Sequence, residues 1–483
     1  MKEAAGTAGP LYVRIAEGLA RQIAQGSLHP GDRAPSLRQL SQQQRVSMST
    51  ALEAYLWLES RGYLEARPQS GFYVRTPFSA QIPEPESESG RPAPSAIGTD
   101  GVLASMMEAA RDPQLISFGP SVASPDLFPN RRLNLILQRA VRREPFHSTR
   151  YDLPPGVERL RRQIARRAAG MGCAFGPRDV TITSGAADAI NLSLRAVARP
   201  GDVIAVEDPT YFGILGSIAA LGMKVIEIPT HPQEGIDLAE LERAIRKHRV
   251  KACVTMPNCH NPLGFIMRDE NKKALAELIS RHGISLIEDD IYADLAFEGP
   301  RPRTAKSFDK AGSVLLCSSF SKILSPGYRV GWVAGGRFRA EIERLQLLST
   351  MAAPSLQQMV VAEFLESGAY DRHLKRLRTS LACQMDAVRQ AAARYLPEGT
   401  RISRPAGGYV LWVQLPRRLD ALKLYHAALA EHVSILPGTI FSATGRYRNY
   451  IRLNCGHRWS EAHERALVTL GRLCDRALTR RSR

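Results

Sequence analysis

The segment SSFSKILSPGYRVGW sets Lys322 just after Ser319 and Ser321, with Arg329 a short turn further on. An amine held beside two hydroxyls and a guanidinium can condense with an aldehyde carried on a phosphate ester, the amine making the covalent link and Ser319, Ser321 and Arg329 holding phosphate oxygens. Upstream, TSGAADAINL places Gly185, Ala186 and Ala187 at a glycine turn that opens a helix. Backbone N–H groups and the positive end of that helix can meet the same phosphate.

A third group completes the requirement of an electron-sink cofactor, whose pyridine nitrogen must stay protonated. LIEDDIYADL ends an apolar run in consecutive acids, of which Asp289 can pair with the pyridinium while Tyr292 reaches the ring hydroxyl. PNCHNPLG supplies Asn261 as a second donor to that hydroxyl, and EDPTYFG supplies Tyr211 as a face for ring stacking. In NYIRLNCG, Arg452 lies on a short apolar run, where its planar fork suits a substrate carboxylate. Amine, carboxylate and anion cradle together fit pyridoxal 5'-phosphate. Each piece alone is ordinary: SxxK is common, acids at a strand end are usually solvated, and a lone arginine is usually on the surface.

These residues need elements to position them. Beyond residue 115, the runs DVTITSG, DVIAVEDP, KVIEIP, KACVTMP, SLIEDD, VLLCSS and RVGWVAG alternate with amphipathic stretches. Strands alternating with helices predict an α/β fold with a mostly parallel sheet and helices on both faces, and ligands beyond the carboxyl ends of the strands. From about Ser355 a long helical region leads to a smaller C-terminal α+β subdomain with strands near GGYVLWVQL and NYIRLNCG.

The N-terminus is organised differently. Leu11, Ile15, Leu19 and Ile23 repeat at helical spacing, a second helix begins at Ser36, and a turn through Arg45, Val46 and Ser47 leads to a third helix, for which Leu52, Tyr55, Leu56 and Leu58 are the expected inner face. Two short strands joined at Gln69-Ser70-Gly71 follow. This is the pattern of a winged helix-turn-helix: Ser47, Ser49 and Thr50 at the start of the second helix of the pair enter the major groove, and Arg38, Arg67, Gln69 and Ser70 lie near the backbone or minor groove. The features PSxxxL, VSxxT and GxxxxxxxGxxV resemble the GntR family of DNA-binding domains over some sixty residues. Met48 stands where that family commonly carries an arginine, which removes a bidentate contact to guanine. The other reading of these helices is an interaction module with serines as caps.

The order of the remaining motifs carries a second resemblance. Glycine turn, stacking aromatic, Asn-Pro-x-Gly, Asp-x-x-Tyr, Ser-x-x-Lys and carboxylate-binding Arg run in the order of the fold type I aminotransferases, to which residues from about 115 to 475 are similar. The resemblance implies a homodimer, with Tyr151 of RYDLPPG contributed to the neighbouring subunit's phosphate site and Gly119 near the substrate carboxylate. Ala187 and Leu263 depart from the pattern, replacing a polar residue and the usual threonine of Asn-Pro-Thr-Gly. A GntR-like reader joined to an aminotransferase-like domain resembles the MocR subfamily of transcription regulators. The expected boundaries are 1–76 for the winged helix-turn-helix, 77–112 for a linker and 113–483 for the cofactor-binding domain. The implied function is a switch in which an amine or amino acid, sensed through the cofactor, changes how the protein addresses double-stranded operator DNA. The rivals are an active aminotransferase with an accessory DNA-binding domain, and a sensor of the cofactor itself, for which Arg452 would have no use.

Composition bounds the answer. A chain of 483 residues exceeds one ordinary core. Its 44% hydrophobic content, mean hydropathy of −0.21 and lack of a run of ~20 apolar residues speak against a membrane protein, and MKEAAGTAGP does not read as a secretory signal. The cytoplasm is the expected location. Seven cysteines without a CxxC pair read as reduced thiols, and Cys259-His260 lacks further metal ligands, so no metal is expected. From Pro77 to Pro94 the chain is rich in Pro, Glu and Ser, the composition of an extended, solvated linker. The formal charge of +18 suits a polyanionic partner. Eleven arginines between Arg131 and Arg167 are either a solvated helix face or a basic track for operator DNA.

Overall fold

The computed structural model describes residues 11–24, 27–29, 31–60, 63–67, 70–74, 82–88, 90, 92–95, 102–109, 111–146 and 149–480. Gln69 and the side chain of Arg67 lie outside the described residues. The chain divides into two compact units, Met1–Ile82 with Ala382–Arg394, and Pro83–Leu381 with Tyr395–Arg483.

In the first unit, helices α1 (Leu11–Ala24), α2 (Leu37–Gln44) and α3 (Met48–Ser60) precede an antiparallel hairpin of β1 (Leu64–Arg67) and β2 (Gly71–Val74). Ile15, Leu19 and Ile23 of α1 share a core with Leu40, Tyr55, Leu58, Leu64 and Val74. Ser36 caps α2 in a reciprocal box with Gln39, and Arg45 closes that helix at φ 51°, the left-handed conformation that turns the chain into α3. The expected inner face of α3 needs correction. Tyr55 and Leu58 are buried with Ala51 and Ala54, but Leu52 and Leu56 are 40% and 50% exposed. Steps of three and four from Ala51 trace one stripe, and Leu52 and Leu56 fall roughly 100° away from it.

The second unit is built on an eight-stranded sheet. Its strands are β4 (Val180–Thr183), β5 (Val203–Asp208), β6 (Lys224–His231), β7 (Gly235–Ile236), β8 (Ala252–Thr255), β9 (Ser285–Asp289), β10 (Val314–Ser319) and β11 (Gly331–Ala334), in the spatial order β4-β11-β10-β9-β8-β5-β6-β7. The run from β10 through β9, β8 and β5 to β6 is parallel. Antiparallel β11 lies between β10 and β4, so β4 points the same way as the parallel run. β8, β9 and β10 are buried at every position, as expected of central strands covered on two faces. The upstream pieces are α4 (Val102–Ala109), β3 (Ile116–Ser117), α5 (Asn130–Arg143) and α6 (Glu158–Arg167); α7 (Ala186–Val197), α8 (Phe212–Ala220), α9 (Leu238–His248), α10 (Asp269–Arg281), α11 (Arg339–Ser349) and α12 (Ser355–Glu366) are spaced among and after the strands.

Helix α13 (Ala369–Tyr395) leads to a four-stranded antiparallel sheet of β12 (Arg401–Ile402), β13 (Val410–Gln414), β15 (Leu436–Pro437) and β16 (Tyr450–Asn454), ordered β12-β13-β16-β15. The remaining elements are α14 (Ala421–Ala430), β14 (Val433–Ser434), which pairs with β3, and α15 (Glu461–Arg480).

The segment expected to be a solvated linker is extended but not free of the fold. Ile402 donates its backbone N–H to the Pro83 carbonyl at 2.9 Å, and Ser95 exchanges backbone bonds with Val225. Glu86 donates its N–H to Gln414 at 2.8 Å, accepts the Tyr450 hydroxyl on its carbonyl at 2.9 Å, and pairs through its carboxylate with Arg401 and Arg417. Proline-rich backbone has few donors and many acceptors, and tyrosine and arginine side chains satisfy those acceptors here.

The arginine-rich stretch is also partly neutralised. Arg159 pairs with Glu366, Arg143 with Glu363, Arg162 with Glu158 and Arg167 with Asp371, while Arg131, Arg132, Arg139, Arg142, Arg150 and Arg166 are exposed. Among the described residues no helix is long and apolar enough to cross a membrane, and no group of three or more His, Cys, Asp or Glu could hold a metal ion.

Candidate ligand pocket and nucleic-acid interface

Because β4, β5, β8, β9 and β10 point the same way, the chain leaves each of them at one edge of the sheet. Gly185 follows β4, Tyr211 follows β5, Asn261 follows β8, Asp289 ends β9 and Lys322 follows β10. Gly185 has φ 98°, a conformation that disfavours a side chain, and it caps α7 so that the N–H groups of Ala186 and Ala187 open the helix. Asp188 accepts the Ser184 N–H at 2.8 Å and fixes this turn. Arg329 lies across Gly185, donating to the Ser184 carbonyl at 2.9 Å and to the Ser321 hydroxyl at 3.4 Å, and a Cβ on Gly185 would collide with its guanidinium. Ser319 is buried and accepts the Ser321 N–H at 3.3 Å.

The Lys322 ammonium nitrogen donates to the Ser121 carbonyl at 2.5 Å and lies 5.7 Å from the centre of the Tyr292 ring. Burial lowers its pKa, opposed by the Tyr211 hydroxyl. An amine less readily charged is a better nucleophile. Tyr292 shares a 2.6 Å hydrogen bond with the Ser121 hydroxyl, packs edge-on to Tyr409, and has its phenol pushed up to about 12 by burial. Tyr211 is in the same electrostatic neighbourhood, where burial raises its pKa against the influence of Lys322.

The acidic run at the end of β9 divides its labour. Glu288 accepts the backbone N–H groups of Ala305 and Lys306, and Asp290 pairs with Arg301 and accepts from Asn258 at 3.0 Å. Asp289 is buried and accepts the Ile291 N–H at 3.2 Å, and among the described residues no cation pairs with it. Burial pushes its carboxyl up to about 7.

Arg452, on β16, is fully buried and donates to the Gly119 carbonyl and, at 3.3 Å, to Asn261 Oδ1. Its Nε has no partner, no carboxylate among the described residues pairs with it, and its guanidinium stands 5.4 Å from the centre of the Phe441 ring. Burial lowers its pKa. Gly119 is itself packed against Ser434, leaving no room for a Cβ. Lys322 and Tyr292 are thus linked through Ser121, Arg452 directly contacts Gly119 and Asn261, and the charge of Arg452 acts on both Lys322 and Tyr292. Tyr151 is not among them: it is 73% exposed. Ala187 is also exposed, at the open start of α7.

In the first unit Ser47 shares 2.8 Å hydrogen bonds with the hydroxyls of Ser49 and Thr50 and accepts the Thr50 N–H at 3.1 Å, so these three groups form one cluster at the start of α3. Arg38 is exposed on α2, Ser36 is engaged as its cap, and Ser70 shares a 2.7 Å hydrogen bond with the Tyr73 hydroxyl on the hairpin.

Residues 134–468 match the family described as aminotransferase class I and II, and residues 11–74 match the bacterial regulatory proteins of the gntR family. Over 472 residues the chain is 41% identical to the HTH-type transcriptional regulator YdcR of Escherichia coli, covering 97% of this chain and 99% of that one. The chain belongs to the MocR-type GntR regulators. This regulator is also 27% identical over 432 residues to the probable rhizopine catabolism regulatory protein MocR of Rhizobium meliloti, covering 89% of its own length and 86% of the relative's. Among solved structures it is similar to LysN, the alpha-aminoadipate aminotransferase of Thermus thermophilus complexed with N-(5'-phosphopyridoxyl)-L-leucine, at 27% identity and a TM-score of 0.72, over 79% of this chain and 96% of that one. The MocR-type regulator is a DNA-binding transcription regulator with an aminotransferase-like domain.

Sequence reasoning passed over Ser121, Tyr409, Asp188 and Phe441. Ser121 contacts Lys322 through its backbone, which no side-chain pattern reports. Asp188 sat inside the quoted glycine-turn motif, four residues after Ser184, and that spacing was a usable signal.

Proposed function

We propose that this regulator holds pyridoxal 5'-phosphate on Lys322 and senses an amine or amino acid there, converting occupancy into a change in its affinity for operator DNA. The observation that carries the reading is a pair of buried ionisable groups that, among the described residues, lack a paired counter-charge: no cation pairs with Asp289 and no carboxylate with Arg452, and both act electrostatically on an amine whose pKa burial lowers. Burying unmatched charges is costly, and a ligand that supplies a pyridinium to one and a carboxylate to the other relieves both. The donor set fits the cofactor. Ser319, Ser321, Arg329 and the N–H groups of Ala186 and Ala187 would hold its phosphate, Asp289 its ring nitrogen, Tyr292 and Asn261 its ring hydroxyl, and Tyr211 its ring face.

When bound, the cofactor supplies an aldehyde that exchanges reversibly between the lysine and an incoming amine. Lys322 gives up its proton readily because burial disfavours its charged form, and Tyr292, held by Ser121, orients the lysine's surroundings. Arg452, kept in place by Gly119 and Asn261, grips the carboxylate and so favours amino acids over amines that lack one.

The second unit is proposed to form a homodimer, in which exposed Tyr151 serves the neighbouring subunit's phosphate site. Phe146, Leu153, Leu135 and Val141, which are 76%, 51%, 42% and 44% exposed, supply apolar surface for that contact. Ser36, Arg38, Ser47, Ser49, Thr50, Arg67 and Ser70 are the proposed DNA contacts, and the site of action is the cytoplasm. The boundaries 1–76, 77–112 and 113–483 are proposed as functional divisions of the chain.

The test is the visible absorption of the purified protein with a panel of amino acids. A cofactor band that shifts with one of them while no keto acid forms supports sensing. Steady keto-acid production at catalytic turnover would favour an aminotransferase, the reading that the intact set of Lys322, Asp289 and Arg452 also permits.

A further inference from the structure

Helix α3 contains no lysine or arginine, although it begins with the hydroxyl cluster of Ser47, Ser49 and Thr50. Its outward face carries Met48, Leu52 and Leu56 instead, 50%, 40% and 50% exposed, at steps of four residues, so that they form one ridge. The ridge is not part of the core of this unit, to which α3 contributes Ala51, Ala54, Tyr55 and Leu58 from a stripe centred roughly 100° away around the helix. Charge is supplied beside the helix, by exposed Arg38 on α2 and exposed Arg45 in the turn. Large apolar side chains on the helix, with exposed cations on the preceding helix and turn, suit a major groove whose phosphates lie at its margins and whose floor presents methyl groups at T·A pairs.

We propose that Met48 and Leu52 read thymine C5-methyl groups, so that the operator of this regulator presents T·A pairs, rather than guanine, to the start of α3. The proposal rests on α3 entering the major groove. In that groove thymine offers a methyl group, whereas guanine offers two acceptors that call for an arginine or lysine. The helix lacks both residues. Exposed Glu53 on the same helix is an acceptor and offers guanine no donor, and the hydroxyls of Ser47, Ser49 and Thr50, which bond to one another, lack the bidentate fork that guanine's two acceptors favour. Specificity then comes from apolar contact on α3, and the phosphate contacts of the flanking arginines set affinity without discriminating sequence.

The experiment uses the full-length protein to select duplexes from a random pool at fixed salt. The selected duplex is then remade with deoxyuridine in place of individual thymines, which deletes only the methyl group. The expected result is enrichment of T·A pairs and a fall in affinity of roughly threefold to fivefold per methyl at the contacted positions. In M48S and L52S, both changes at exposed positions, thymine and deoxyuridine duplexes should bind equally at the corresponding pair. Selection with Met48→Arg should exchange T·A for G·C there. A wild-type protein that selects a duplex, binds it in a salt-dependent manner and is indifferent to every methyl deletion would overturn the proposal while leaving groove binding intact, and would mark the ridge as a protein contact. Failure to select any duplex would overturn both.

Discussion

Asp289 and Arg452 are ionisable groups placed where charge is costly, and each makes a prediction of its own. Burial holds Asp289 protonated up to about pH 7, whereas an aspartate in an unfolded chain ionises near ~4. Between those values the folded, cofactor-free protein binds more protons than the unfolded chain, so its stability falls as pH rises through the window. Asp289→Asn stays neutral throughout, so the fall in urea midpoint from about pH 4.5 to 7 should be shallower in the variant than in the wild type. Identical slopes would contradict the assignment. At Arg452 the planar fork matters as well as the charge. Arg452→Lys should weaken amino-acid binding by about 10-fold to 100-fold, the range of one charge-assisted hydrogen bond, and should leave binding of a simple alkylamine unchanged. Titration of the cofactor band with both ligands separates the two effects.

Much of this was legible in the sequence because motif order survives where single motifs are ambiguous. Three consecutive acids do not by themselves say which one faces a ligand. The structure distinguishes them through Arg301 and through the backbone of Ala305 and Lys306, groups outside the motif. Ser121 was illegible for a related reason, since its carbonyl, not its side chain, meets Lys322.

At the scale of elements, the strands were readable from their runs of Val, Ile and Leu, and their common direction brings five candidate residues to one edge. Composition misled at the segment from Pro83 to Ser95. Proline, glutamate and serine signal solvation only when nothing in the fold answers their polar groups; Gln414, which accepts the Glu86 N–H, and Tyr450, which donates to the Glu86 carbonyl, are 328 and 364 residues away. No local window contains that information. On α3 the error was angular: in a short helix rich in leucine, apolar type alone does not choose a face. The C-terminal sheet carries a stability prediction. Trp412 is buried among Phe441, Tyr447 and Tyr450, and truncation of such a side chain costs about 3 to 5 kcal/mol. Trp412→Ala should lower the urea midpoint of the cofactor-binding unit accordingly, and a change below about 1 kcal/mol would mean that the cluster collapses to fill the gap. Phe441 in this cluster also faces Arg452, and Tyr447 donates to the Glu88 carbonyl and Asp208, so the same packing joins the pocket to the segment that precedes it in the chain.

In the whole molecule, a DNA-binding unit shares the chain with a site where, among the described residues, no cation pairs with Asp289 and no carboxylate pairs with Arg452. Coupling between them requires that a ligand bind one arrangement of the protein better than another, and a coupling of 1 to 3 kcal/mol corresponds to roughly 5-fold to 150-fold in affinity. The direct measurement is the affinity of the full-length protein for its selected duplex, at one fixed salt concentration, without cofactor, with pyridoxal phosphate, and with pyridoxal phosphate plus each amino acid in turn. One amino acid should change the affinity at least about 5-fold beyond the effect of cofactor alone, and Arg452→Lys should shift that response to amino-acid concentrations about 10-fold to 100-fold higher. An affinity that follows cofactor occupancy but ignores every amine, or that ignores both, would contradict the proposed sensing.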